Sequence, residues 1–339
     1  MQLNSPALRR LGAAVLTLAT TLGVTLASGP PAQAAGESYV ALGDSYSSGV
    51  GTRSYIDDGT ECQRSTLAYP SLLTAQRGYS LDFRACSGAT VADVTNTQLS
   101  ALNSGTSLVT ISVGGNDAGF ADVLTECAFP WWAADCDGAI DGAQAYINGT
   151  LPGSIDGLYG SIGNLAPSAQ VVVVGYPRIF MGEDCNAATF FSPEEEARLN
   201  QMADLLNSKL SAAAAAHGFG FANPTSAFTG HAVCDDPEWI NGLSDPISES
   251  YHPNTSGHSS GYAPVVGGVL GFAFQSSPAV MSEARGQSAE IAASQAQYAA
   301  ADRAIEPQPF VVPDLRSPQV RAAAKAHEIN LNRWIANHT

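Results

Sequence analysis

The chain has 339 residues, a formal net charge of −16 and 6 cysteines; 45% of it is hydrophobic and 14% charged. That length supports one large core or two modest ones, and the low charged fraction excludes a disordered acidic chain. A surface this acidic repels phosphate backbones and anionic lipid headgroups, which excludes nucleic acid as a partner.

Residues 1–34 begin with a basic pair, Arg9-Arg10, followed by an apolar stretch, Leu11–Ala27, and the small-residue site Ala32-Gln33-Ala34. This is the pattern of a removable signal peptide. Its Gly, Thr and Pro interruptions argue against a stable membrane span. Cleavage would remove two arginines and leave a more acidic, secreted, extracellular protein. Export also explains the cysteines. Six of them allow fifteen pairings, and short loops are the easiest to close, which favours Cys62–Cys86, Cys127–Cys136 and Cys185–Cys234. Each bridge would contribute about 2–4 kcal/mol. The chain contains no C-x-x-C pair, so a metal site or catalytic thiol is the weaker reading.

Along the mature chain, short apolar runs predict strands at Tyr39–Leu42, Leu81–Ala85, Leu108–Val113, Val171–Gly175 and Phe219–Ala222. Between them, helical spacing predicts Tyr69–Gln76, Gly138–Ala166 with breaks at Pro152 and Gly153, and Pro193–His217 capped by Ser192. Strands alternating with helices imply an α/β fold with a parallel sheet covered on both faces, and ligands in such sheets bind at the carboxyl ends of the strands. After Phe274 the composition turns Ala-, Ser- and Gln-rich, with helical spacing over 279–304, a stiff stretch at Pro307–Pro313 and a helix from Ser317-Pro318 to about Ile335. The expected organisation is therefore a signal peptide (1–34), a body (35–274) and a helical C-terminal appendage (275–339). Arg316, Arg321, Lys325 and Arg333 make the appendage the one basic end of an acidic chain. It is expected to dock electrostatically, and its removal to leave the upstream chemistry nearly intact.

Four blocks carry chemistry. Strand Tyr39–Leu42 runs into Gly43-Asp44-Ser45, which puts a serine just past a strand end among glycines. Cys86-Ser87-Gly88 follows the second strand, and Gly114-Gly115-Asn116-Asp117 follows the third. The backbone N–H groups of Ser45 and Gly88 and the Asn116 amide could converge on a developing oxyanion; taken singly, each also reads as ordinary turn chemistry. The last block is Glu249-Ser250-Tyr251-His252-Pro253, where Pro253 fixes the chain beside His252 and a carboxylate lies three residues upstream. His217, His231 and His258 read as structural, and His327 and His338 lie in the appendage, far in sequence from any strand end.

In this order, each at a strand end, the blocks resemble those of the GDSL or SGNH hydrolase family from about Tyr39 to Val266, and the context looks like its secreted bacterial lipases and phospholipases. The resemblance implies a three-layer α/β/α, flavodoxin-like fold and neither metal nor organic cofactor. It further implies Ser45 as nucleophile, His252 as base and an oxyanion hole from Ser45, Gly88 and Asn116. The chain departs from the family at the acid: the usual Asp-x-x-His is here Glu249-x-x-His252. Either Glu249 or the Ser250 backbone carbonyl could orient the imidazole. The expected partner is a lipid or other ester substrate, met by a monomer. A carbohydrate acetyl esterase and a non-catalytic surface-binding module are the competing readings. Phe120, Phe129, Trp131, Trp132, Tyr176 and Tyr251 could line an acyl groove or a sugar platform. A second motif, Gly257-His258-Ser259-Ser260-Gly261, fits a G-x-S-x-G elbow, but the polar, Pro-containing run before it does not make the buried strand an elbow needs.

Overall fold

The computed structural model describes residues 36–338, so the expected signal peptide lies outside the described residues. Five strands form one sheet: β1 (Ser38–Gly43), β2 (Ser80–Phe83), β3 (Leu108–Ser112), β4 (Gln170–Val174) and β5 (Gly220–Ala222). All neighbouring pairs are parallel and the order is β2-β1-β3-β4-β5. The apolar runs form strands because both faces are covered: every residue of β3 is buried, as are Val171–Val174 of β4. Burying each such aliphatic side chain contributes about 1.5–3 kcal/mol. One layer of helices includes Tyr69–Arg77, Ala263–Val269 and Pro278–Gly286; the other comprises Phe120–Cys127, Cys136–Gly149, Leu151–Leu165 and Pro193–Ala216. This is the α/β/α fold the sequence pattern implies. The strand order reverses at β1, so the carboxyl ends of β1 and β3 leave a crevice between connections that run opposite ways.

Element ends differ from expectation for local reasons. The helix expected at Gly138–Ala166 is two helices meeting at Thr150, because Pro152 opens the second one. Ser192 caps Pro193–Ala216 through a reciprocal box with Glu195. Near the C-terminus, Pro318–Ala326 and Leu331–His338 are separate helices; His327 caps the first and Glu328 takes φ +56°. The three disulfides join Cys62 to Cys86, Cys127 to Cys136 and Cys185 to Cys234, as closure entropy favours.

The segment after Phe274 packs with the body, and residues 36–338 fall in one compact unit. The basis of the docking also differs. Arg316, Arg321, Lys325 and Arg333 are exposed. The anchor is instead an acid, Asp302, sunk between two arginines of the body: its carboxylate lies 2.6 Å from Arg64 and 2.8 Å from Arg84, with all three side chains at 0% exposure. Asp58 takes the other amino group of Arg64, Gln295 accepts from Arg84, and Arg84 stacks over the Tyr298 ring. Two cations meet two anions here, so the burial is electrically balanced.

Candidate active site

The turn after β1 is built for close approach. Gly43 has φ +121°, and a Cβ there would stand 2.2 Å from the Ser112 carbonyl oxygen, so only glycine lets β1 and β3 meet at this point. The Gln98 side chain clamps Gly43, accepting from its N–H at 2.7 Å and donating to its carbonyl at 2.9 Å. Asp44 then caps the short helix Ser45–Ser48. One carboxylate oxygen accepts from the Tyr46 N–H at 3.0 Å and the Ser112 hydroxyl at 2.7 Å; the other accepts from the Tyr176 hydroxyl at 2.5 Å. Burial pushes the Asp44 carboxyl up to about 6, against the pull of these donors. The cap fixes Ser45 at the first position of the helix, with its hydroxyl free to face His252.

His252 Nε2 lies 2.9 Å from Ser45 Oγ, and His252 Nδ1 lies 2.9 Å from the Ser250 carbonyl oxygen. A carbonyl can only accept, so Nδ1 carries the proton and the Nε2 lone pair faces the serine. Tyr251 sets this pose from a left-handed backbone, φ +62°, while the Tyr46 hydroxyl donates to its carbonyl at 2.7 Å. The Asn241 N–H donates to the His252 carbonyl at 2.9 Å. Glu249 is buried but faces elsewhere: its carboxylate accepts from the Tyr55 hydroxyl at 2.7 Å and the Arg53 Nε at 3.0 Å. Burial lowers the His252 imidazole from its ordinary 6.5 to about 4, against the upward pull of the Ser250 carbonyl on Nδ1.

Gly88 sits at φ +83°, two residues past the Cys62–Cys86 bridge that pins its turn. Among the described residues, neither the Ser45 nor the Gly88 N–H donates to a protein acceptor. Asn116 donates one amide hydrogen to the Ala89 carbonyl at 3.0 Å, which orients the amide. Ser45, Gly88, Asn116 and His252 line one pocket, walled by apolar side chains such as Phe120, Leu124, Ile147, Ile179, Met202 and Leu206.

Three of the six aromatic candidates, Phe120, Tyr176 and Tyr251, line this pocket. Phe129, Trp131 and Trp132 do not. Trp132 is buried with Val320 and Ala324 of the C-terminal helices, Phe129 packs against that cluster, and Trp131 is 74% exposed. Ser259 is not among the lining residues; it lies in the helical turn Gly257–Tyr262, which no strand precedes. His258 Nδ1 accepts from the Tyr69 N–H at 3.2 Å, a structural role. His217 meets Asp156, and His231 stacks on Trp239. Sequence reasoning missed Pro307–Phe310, which also line the pocket; their proline spacing reads as a linker, and only tertiary contact reveals otherwise.

The model of the GDSL-like lipase/acylhydrolase family matches residues 41–259. Lipase 1 of Streptomyces coelicolor is 46% identical over 266 residues, covering 76% of this chain and 98% of the relative's length. The crystal structure of phospholipase A1 from Streptomyces albidoflavus NA297 superposes with a TM-score of 0.65 at 46% identity, covering 69% of this chain and 99% of that one. The extracellular lipase from Streptomyces rimosus gives the same TM-score, 0.65, at 44% identity, again covering 69% of this chain and 99% of that one. On this likeness, in sequence and in fold together, the chain belongs to the GDSL-like lipase/acylhydrolase family and is a carboxylic ester hydrolase.

Proposed function

We propose that the protein is an exported, monomeric serine esterase acting on the fatty-acyl esters of lipids, with Ser45 as nucleophile and His252 as general base. Ser45 Oγ attacks the ester carbonyl while His252 Nε2 takes its proton, and the N–H groups of Ser45 and Gly88 with the Asn116 amide hold the oxyanion. His252 returns the proton to the leaving alcohol, then activates water to release the acid. The observation that carries this reading is the 2.9 Å Ser45–His252 contact set in an apolar pocket. Similarity to a lipase and a phospholipase A1 supports a lipid substrate. In a series of p-nitrophenyl esters, kcat/KM should rise from acetate to octanoate. A collapse beyond acetate would favour deacetylation of a polysaccharide and overturn the lipid reading.

Glu249 is secondary in this mechanism, since Arg53 and Tyr55 occupy its carboxylate. Glu249→Gln should lower kcat by less than about tenfold, against roughly 10⁴-fold for loss of a true triad carboxylate. Only the neutral imidazole can act as base, and its fraction grows as pH rises through its pKa. The acid limb of kcat/KM should therefore fall near pH 4, the lowered value for His252, and not near 6.5. A thousandfold loss in folded Glu249→Gln would make Glu249 the third member of a triad.

A further inference from the structure

The family match ends at residue 259, and the Streptomyces phospholipase A1 structure is 99% covered by 69% of this chain. Yet Pro307, Gln308, Pro309 and Phe310, well beyond the match, line the same pocket as Ser45 and His252. These residues form a strap held at both ends. Upstream, Asp302 is sunk between Arg64 and Arg84, and Ile305 is buried in the core. Downstream, the Val311 N–H donates to Thr125 Oγ1 at 3.0 Å, beside the wall residue Leu124. Between these anchors the strap crosses the site closely. A Cβ on Gly88 would stand 2.6 Å from Pro307 Cα. The Phe310 ring is 4% exposed and meets Tyr251, next to His252, edge-on at 5.0 Å. Two prolines stiffen the span, so its position costs little extra ordering entropy.

We propose that residues 307–310 form a wall of the acyl pocket, with Phe310 as its main apolar surface, and so set how strongly the enzyme prefers longer acyl chains. This rests on the ester-hydrolase reading above and adds to it a specificity element that this chain supplies from outside the family match. A fully buried methylene favours binding by roughly fourfold; a chain that has lost one wall keeps part of its surface in water and gains less per carbon.

The test is the octanoate-to-butyrate ratio of kcat/KM on p-nitrophenyl esters, measured on the full chain. Phe310→Ala should lower that ratio at least about fivefold, the loss growing with acyl length. Phe310→Leu, which keeps most of the buried volume, should lower it less and decides the matter if the alanine variant does not fold. Thermal unfolding establishes which variants are native. An unchanged or raised ratio in a folded variant overturns the strap as a wall. Labelling of wild-type Ser45 by a fluorophosphonate probe, with turnover of butyrate, separates the two failures. An inert, unlabelled wild type sinks the ester reading, whereas an active, labelled enzyme whose ratio survives substitution sinks only the strap.

Discussion

Ser45→Ala should lower kcat by more than about 10³-fold while the protein stays folded. Among the described residues, the Ser45 hydroxyl bonds only to His252 Nε2, so its loss leaves no clamp or cap broken. The proposed oxyanion donors at Gly88 and Asn116 would remain, which is why a small residual rate over water is expected rather than none. A fluorophosphonate probe should mark Ser45 in the wild type, mark nothing in Ser45→Ala, and mark Ser259→Ala as it marks the wild type. An adduct on Ser259 would sink the assignment.

The second large effect is on stability. Removing the Asp302 carboxylate would leave Arg64 with Asp58 and Arg84 with no ion-pair partner among the described residues, both guanidinium groups being fully buried. Stripping one partner from a buried ionic cluster costs about 3–5 kcal/mol, because the remaining charge can neither find water nor lose its proton. Asp302→Ala should therefore shift the denaturant midpoint sharply downward. Truncation after Phe274 should fail to yield a native protein, since it also removes Gln295 and Tyr298 from Arg84. A truncated chain that folds and hydrolyses a short ester would show that the composition boundary is real and the cluster dispensable.

Much of the fold was legible because three of its strands, β1, β3 and β4, are short, mostly apolar and buried on both faces, a pattern that needs no tertiary knowledge. The candidate site was legible for a related reason: Gly43, Ser45, Gly88 and Asn116 all sit where a parallel sheet brings connections together. His252 stood out by its neighbour Pro253, and the local disulfide loops followed from closure entropy. What stayed hidden depends on partners far away in sequence. Nothing around Glu249 announces that Tyr55 and Arg53 will claim its carboxylate. The pocket-lining role of Phe310 has no periodic signature, and three aromatics near the motifs belong to a different cluster. How the C-terminal segment is anchored was not legible from charge counted along it. Its basic residues are conspicuous but exposed, while the single acid that matters is embedded in an alanine run.

The Ser45–His252 pair is separated by 207 residues of chain and the Arg64–Asp302 pair by 238. Contacts this distant close large loops, and loop closure must be met before such contacts stabilise anything, so folding is slow by topology. A chain made from its N-terminus presents Ser45 first and His252 only 207 residues later. No amino-terminal fragment ending before residue 252 contains both halves of the reaction. On the proposed mechanism, activity therefore requires this long-range contact to have formed.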